Sequence, residues 1–171
     1  MEWTLELDPF EEPLDGSFAV QDVRVLVDVI SEHPEWGGYT DNSPIQNYLP
    51  ESAPEYDNQI EFTFEGMNAE GKSYGTFTHK AGTDGAFGEF INNEEGVDLN
   101  DKYRLLPRGE GTWTRSPSDN TLTFTDSEGN TTEAVLEQND GSMNIKFDME
   151  VVTDWDNLWD SMVQISQMTD Y

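Results

Sequence analysis

The chain has 171 residues, sets 36 Asp plus Glu against eight Lys plus Arg, and contains no cysteine, so its formal net charge is −28. That balance excludes a binder of nucleic-acid backbone, which needs clustered Lys and Arg, and a protein held electrostatically at an anionic membrane surface. The lack of cysteine excludes disulfides, thiolate nucleophiles and Cys-based zinc or iron–sulfur centres.

The length suits one domain with one core, and the aromatic residues, 12% of the chain, are spread along it. Self-repulsion among so many carboxylates weakens a compact state in dilute buffer. Salt screens it, with a Debye length of roughly 10 Å at 0.1 M and roughly 3 Å at 1 M. The composition therefore predicts a protein of a salt-adapted bacterium. No stretch approaches the roughly 20 apolar residues of a membrane-spanning helix, so no membrane insertion by this chain is expected. Met1-Glu2-Trp3 has no apolar signal core. The expected location is the cell envelope or periplasm after removal of a signal and tether, ahead of the cytoplasm.

Residues 1–13, with Pro9 and Pro13, read as an acidic lead-in, and 14–171 as the folded domain. Residues 18–30 are rich in β-branched side chains, with Val23, Val25, Val27 and Val29 alternating, and predict a strand. Residues 31–58 hold Pro34, Pro44, Pro50 and Pro54 among Trp36, Tyr39, Tyr48 and Tyr56. They predict a long connection with a short helical turn near Ile45–Leu49.

Short alternating segments follow from Gln59. Ile60, Phe62 and Phe64 mark one strand, Asn68–Gly71 a turn, and Ser73–His79 its partner. Residues 80–101, rich in Gly, Asp and Asn, read as loop. Gly111–Arg115 is a strand, 117–120 a turn, and Leu122 and Phe124 alternate with threonines on the next strand. Ser127–Asn130 is a hairpin turn. Thr132, Ala134 and Leu136 face inward on another strand, and Met143, Ile145, Phe147 and Met149 alternate on the one after. Near the C-terminus Trp155, Leu158, Trp159, Met162 and Ile165 recur at helical spacing and predict an amphipathic helix over 153–168. Successive hairpins with an aromatic-rich face point to an antiparallel up-and-down β-barrel, which leaves no open edge.

Gly75-Thr76-Phe77-Thr78 and Gly111-Thr112-Trp113-Thr114 repeat one pattern. The second leads into Asn120-Thr121-Leu122-Thr123-Phe124, the Gly129 turn, Ala134–Leu136 and Met143-Asn144-Ile145-Lys146-Phe147. With Leu14-Asp15-Gly16-Ser17-Phe18 as an opening segment, this order resembles the small bacterial lipocalin-like (calycin-type) proteins over residues 14–149. The long 31–58 connection and the acidic tail depart from a minimal member. The resemblance implies a calyx that encloses a small apolar ligand, and many bacterial members look like envelope lipoproteins.

Period 2 places Phe77 with His79, and Trp113 with Arg115, on the inward face of equivalent strands. These four are the candidate ligand-binding residues. The competing reading makes the two aromatics core filling and leaves His79 and Arg115 at strand ends. A buried Arg115 demands a carboxylate, from the protein or from a ligand. Lys102, Arg104, Arg108 and Arg115 hold half the basic charge and read either as a receptor for an anion or as local compensation. Asp126–Asn130 and Asn92–Gly96 are oxygen-rich but do not match a calcium loop, and His33 and His79 lack metal-type spacing, so neither metal nor cofactor is expected. There is no G-x-S-x-G elbow, phosphate loop or dinucleotide fingerprint. The expected function is a non-enzymatic binding or scaffold protein. The alternative is a β-sandwich carbohydrate-binding or protein-interaction module with exposed Trp and Tyr side chains.

Overall fold

The computed structural model describes residues 11–27, 46, 49–92, 96–98, 100, 104–139, 141–148 and 162–170. The fold is mainly β. Its long strands are β1 (Gly16–Val27), β2 (Gln59–Met67), β3 (Ser73–Lys80), β6 (Gly109–Arg115), β7 (Thr121–Asp126), β8 (Thr131–Asn139), β9 (Ser142–Asp148) and β10 (Met162–Asp170). Two short strands, β4 (Ile91–Asn92) and β5 (Val97–Asp98), pair with each other inside the segment expected to be loop.

Neighbours in the sequence of long strands are neighbours in space, and all pair antiparallel. The sheet curls on itself and closes because β1 pairs with β2 on one side and β10 on the other. The main strands thus form one ring, not the two packed sheets of a sandwich. Alternation decides which side faces in. On β3 the buried residues are Ser73, Gly75, Phe77 and His79; on β7, Leu122 and Phe124; on β9, Met143, Ile145 and Phe147. The interior is rich in aromatic rings. Phe62 meets Phe18, Phe77, Trp113 and Phe124 at centroid distances of 6.0–6.4 Å, and Phe77 stands edge-on to Phe124 at 5.3 Å. The outer face carries a row of threonines at one register level across five strands: Thr63, Thr76, Thr112, Thr125 and Thr131. Cross-strand Thr pairs of this kind suit a solvated sheet face.

The C-terminal helix expected over 153–168 is corrected for its second half. Residues 162–168 belong to β10, paired along Val163–Met168 with β9 and along Met162–Met168 with β1. The helical spacing of Met162 and Ile165 loses to backbone pairing: without β10 the inner edges of β1 and β9 would both lie open. Residues 153–161, with Trp155, Leu158 and Trp159, lie outside the described residues. So do 28–30 of the first expected strand, 31–45 of the expected 31–58 connection, most of the Ile45–Leu49 turn, His33, Lys102, and Trp36, Tyr39 and Tyr48. The register of β1 shifts at Gln21, a bulge that lets even-numbered residues before it and odd-numbered ones after it hold equivalent positions opposite β10.

A 3-10 helix, Pro50–Asp57, leads into β2 and packs beside β1. Leu49 joins the core, the buried Ser52 hydroxyl donates to the Leu49 carbonyl at 2.6 Å, and the Val20 amide donates to the Asn58 carbonyl. Among the described residues no helix is long and apolar enough to cross a membrane.

Candidate functional site

The two Gly-Thr-aromatic-Thr segments pair with each other. In the β3–β6 register Gly75 faces Trp113, Thr76 faces Thr112 and Phe77 faces Gly111. Phe77 and Trp113 therefore sit diagonally across the ladder in the middle of the barrel, 2% and 1% exposed. The Trp113 indole N–H donates to the Thr76 carbonyl at 3.0 Å, and its ring stands edge-on to Phe62. Both aromatics are packed, and the polar atom of Trp113 is already in use.

Arg115 lies at the end of β6 opposite Ser73, and His79 at the end of β3 opposite Gly109. Six residues of strand separate the two levels, roughly 20 Å at 3.4 Å per residue. The four residues expected to line one site thus divide into a central pair and two opposite ends.

At the Arg115 end the required carboxylate comes from the chain itself. Arg115 donates from Nε and Nη2 to the two oxygens of Glu12, at 2.8 and 2.9 Å, and from Nη1 to Asn120 Oδ1 at 2.7 Å. Asn120 presents that oxygen from a left-handed turn conformation (φ 60°), which Asn tolerates better than most residues. Glu12 also accepts from the Leu14 amide. Every donor-bearing nitrogen of Arg115 is occupied, so this end is a closed plug.

The His79 end is built differently. The segment 81–90 crosses it, fastened at both ends. Asp57 accepts from the Thr83 amide and hydroxyl and from the Asp84 amide. The Thr83 hydroxyl is the main reason the Asp57 carboxyl lies below its ordinary range, against a smaller opposing effect of burial. Further along, the Gly88 carbonyl accepts from Arg104 at 2.6 Å and Arg108 at 2.8 Å. Both arginines also reach Glu55 Oε1, at 3.0 and 3.4 Å, while Glu55 Oε2 accepts from Asn58 Nδ2 at 2.9 Å. Between the two fastenings Phe87 stands edge-on to the His79 ring at 5.2 Å, with the Arg108 guanidinium over the Phe87 ring at 4.2 Å.

His79 itself is 2% exposed. Its Nδ1 lies 2.9 Å from the Pro107 carbonyl, which can only accept, so Nδ1 carries the proton. Burial pushes the ring's pKa down to about 4, helped by Arg108 and Arg104 and opposed by the Pro107 bond. The imidazole is thus neutral near pH 7, and Nε2 offers a lone pair. Nε2 has no partner among the described residues, and neither do three other buried atoms of the residues that fasten this end, Asp57 Oδ1, Asn58 Oδ1 and Arg108 Nε.

Other expected features resolve locally. Arg104, Arg108 and Arg115 do not form one patch: the first two share Glu55, and Arg115 takes Glu12 at the far end. Asp126 spends its oxygens on the Glu128 and Asn130 amides and the Asn130 side chain, which builds a hairpin turn. Among the described residues no three His, Asp or Glu side chains gather as a metal site. Glu12, Glu55, Asn58 and Phe87 were not legible as site residues. A buried Arg announces that a carboxylate is needed, but 36 acids give no means of choosing one.

Compared with protein-family models, curated proteins and solved structures, the chain matches none.

Proposed function

We propose that this chain is a non-enzymatic, lipocalin-like binding protein of a salt-adapted bacterium, with the barrel as scaffold and a small-molecule site at the His79 end. One observation carries the reading. Of the four inward residues marked by the sequence, Phe77 and Trp113 are packed, Arg115 is saturated, and His79 alone keeps a buried polar atom without a partner among the described residues. Buried polar atoms are nearly always satisfied, so an unused one inside a barrel end marks a place where another molecule fits. Phe87, edge-on to the His79 ring and under Arg108, supplies an aromatic neighbour.

The test is a titration of an apolar fluorescent dye, and of fatty acids competing with it, into the wild type, His79→Gln and Trp113→Phe. Saturable binding that His79→Gln weakens and Trp113→Phe leaves intact supports the reading. Binding abolished only by Trp113→Phe moves the site to mid-barrel. No saturable binding to any of the three leaves the barrel a scaffold whose function lies on its surface.

A further inference from the structure

We infer that the molecule bound at the His79 end is small and neutral and donates a hydrogen bond, from a hydroxyl or an amide N–H, to His79 Nε2. The inference rests on the reading above and narrows it to a ligand class. Its basis is the donor–acceptor inventory of the unused atoms. The Pro107 carbonyl fixes the Nδ1–H tautomer, so Nε2 of the neutral ring can only accept. Asn58 is fixed in the same way: its Nδ2 points at Glu55 Oε2, an acceptor, so the unused atom is an oxygen that also accepts. Among the described residues Arg108 Nε is the one unused donor at this end. With Asp57 Oδ1, this end holds three partnerless acceptors against one donor, so it calls for a ligand that donates: a hydroxyl supplies one proton and a primary amide two.

Charge argues the same way. A carboxylate or phosphate brings only acceptors and would set oxygen lone pairs against Nε2 and Asn58 Oδ1. The arginines that could attract an anion already share Glu55, and Arg104 also reaches Glu89. A metal cation would suit a neutral imidazole nitrogen, but it would sit beside the Arg104 and Arg108 guanidiniums, both close enough to His79 to oppose its protonation. The Phe87 ring beside His79 favours a ligand with a flat apolar part next to its polar group.

The probes are benzyl alcohol, toluene and benzoate, which share one ring and differ only in the polar group. The readout is the side-chain nitrogen resonances of the wild type labelled with ¹⁵N-histidine. There are only two histidines, His33 and His79, and the His79→Gln spectrum assigns them. Benzyl alcohol is expected to shift the Nε2 resonance of His79 saturably, in the direction of hydrogen-bond acceptance, and to bind about tenfold tighter than toluene or benzoate, the difference one buried hydrogen bond makes. Two results overturn the inference while keeping the site: toluene binding as tightly as the alcohol, or benzoate binding best. No saturable shift of His79 with any probe, with Nε2 exchanging with water alone, overturns both the ligand class and the site.

Discussion

Gly111 lies directly across the β3–β6 ladder from Phe77, and a methyl group placed on it would stand 2.7 Å from the Phe77 ring. Gly75 repeats the relationship with Trp113, and a Cβ there would also overlap the Thr63 carbonyl oxygen of β2. Each aromatic thus lies over the bare backbone of the opposite motif. The Gly-Thr-aromatic-Thr repeat is a pair of mutually complementary halves. Gly75→Ala must push β2 or β6 away and is expected to cost about 3 kcal/mol or more, the upper range for forcing atoms into a packed core. Gly111→Ala meets a ring and the Thr125 carbonyl and should cost about as much. Urea unfolding of both variants beside the wild type measures this; a loss under about 1 kcal/mol for Gly75→Ala would show that the strands separate freely.

The Arg115–Glu12 pair, whose side chains are 5% and 0% exposed, should obey the asymmetry of buried ion pairs. Removing one member leaves an uncompensated buried charge, so Arg115→Met or Glu12→Leu alone is expected to cost about 3–5 kcal/mol. The double variant should recover most of that loss. A double-mutant cycle from chemical denaturation reads the coupling. Additive losses would mean that the two residues act separately.

Most of the barrel was legible because its strands are half-buried and alternate strictly. Phe62, Phe77, Trp113, Leu122, Phe124, Ile145 and Phe147 are apolar where the register faces inward and are flanked by Thr, Glu, Asp, Asn or Lys. Turn chemistry fixed the hairpins: the Asn68 side chain holds the Glu70 and Lys72 amides, and Asp126 holds those of Glu128 and Asn130. β10 was misread because Met162 and Ile165 continue a helical spacing begun upstream, while the demand for a strand there comes from β1 and β9, more than a hundred residues apart in sequence. The site was half legible. Period 2 brought out His79 and Arg115, but their partners Pro107, Glu12 and Asn120 come from turns and from the lead-in, which carry no period.

Acid should loosen the His79 end first. The ring's pKa is about 4 in the folded protein against an ordinary value of 6.5, so between those values the unfolded chain takes up a proton that the folded chain refuses. Stability therefore falls as pH drops from about 6.5 toward 4, by roughly 3 kcal/mol for this group at the low end. Asp57, whose carboxyl is held below its ordinary range by Thr83, adds a loss at lower pH as its carboxyl protonates. Relief of carboxylate repulsion works against both, so the wild type must be compared with His79→Gln. The variant is expected to lose the wild type's decline between pH 6.5 and about 4. Parallel stability curves would show that His79 is not the group responsible.

Salt should have the opposite effect to dilution. With a net charge of −28, the folded barrel concentrates repulsion that the unfolded chain spreads out. The melting temperature is expected to climb steeply from low ionic strength to about 2 M KCl, where the Debye length falls below roughly 3 Å. Sodium chloride should act much as potassium chloride does, because the effect is screening. A flat or falling curve would remove the salt-adapted reading.

Deleting Met162–Tyr171 tests the role of β10. This strand lies between β1 and β9, and its loss would leave two long strands with unpaired amides and carbonyls facing a gap one strand wide. Such edges either collapse onto each other or recruit another chain. The shortened protein is therefore expected to aggregate or associate, and a synthetic peptide of residues 160–171 added in trans should restore a soluble monomer by pairing into the gap. The peptide's register is fixed by its neighbours: Val163 belongs opposite Asp148 and Leu26, and Met168 opposite Met143 and Val20. Met168 is fully buried, so a peptide carrying Met168→Asp should fail where the native sequence succeeds. Amide hydrogen exchange on β1 and β9 reads the outcome at the strands themselves. Protection should appear on both only with the native peptide. A shortened chain that stays monomeric and protected without any peptide would show that the ring does not depend on β10.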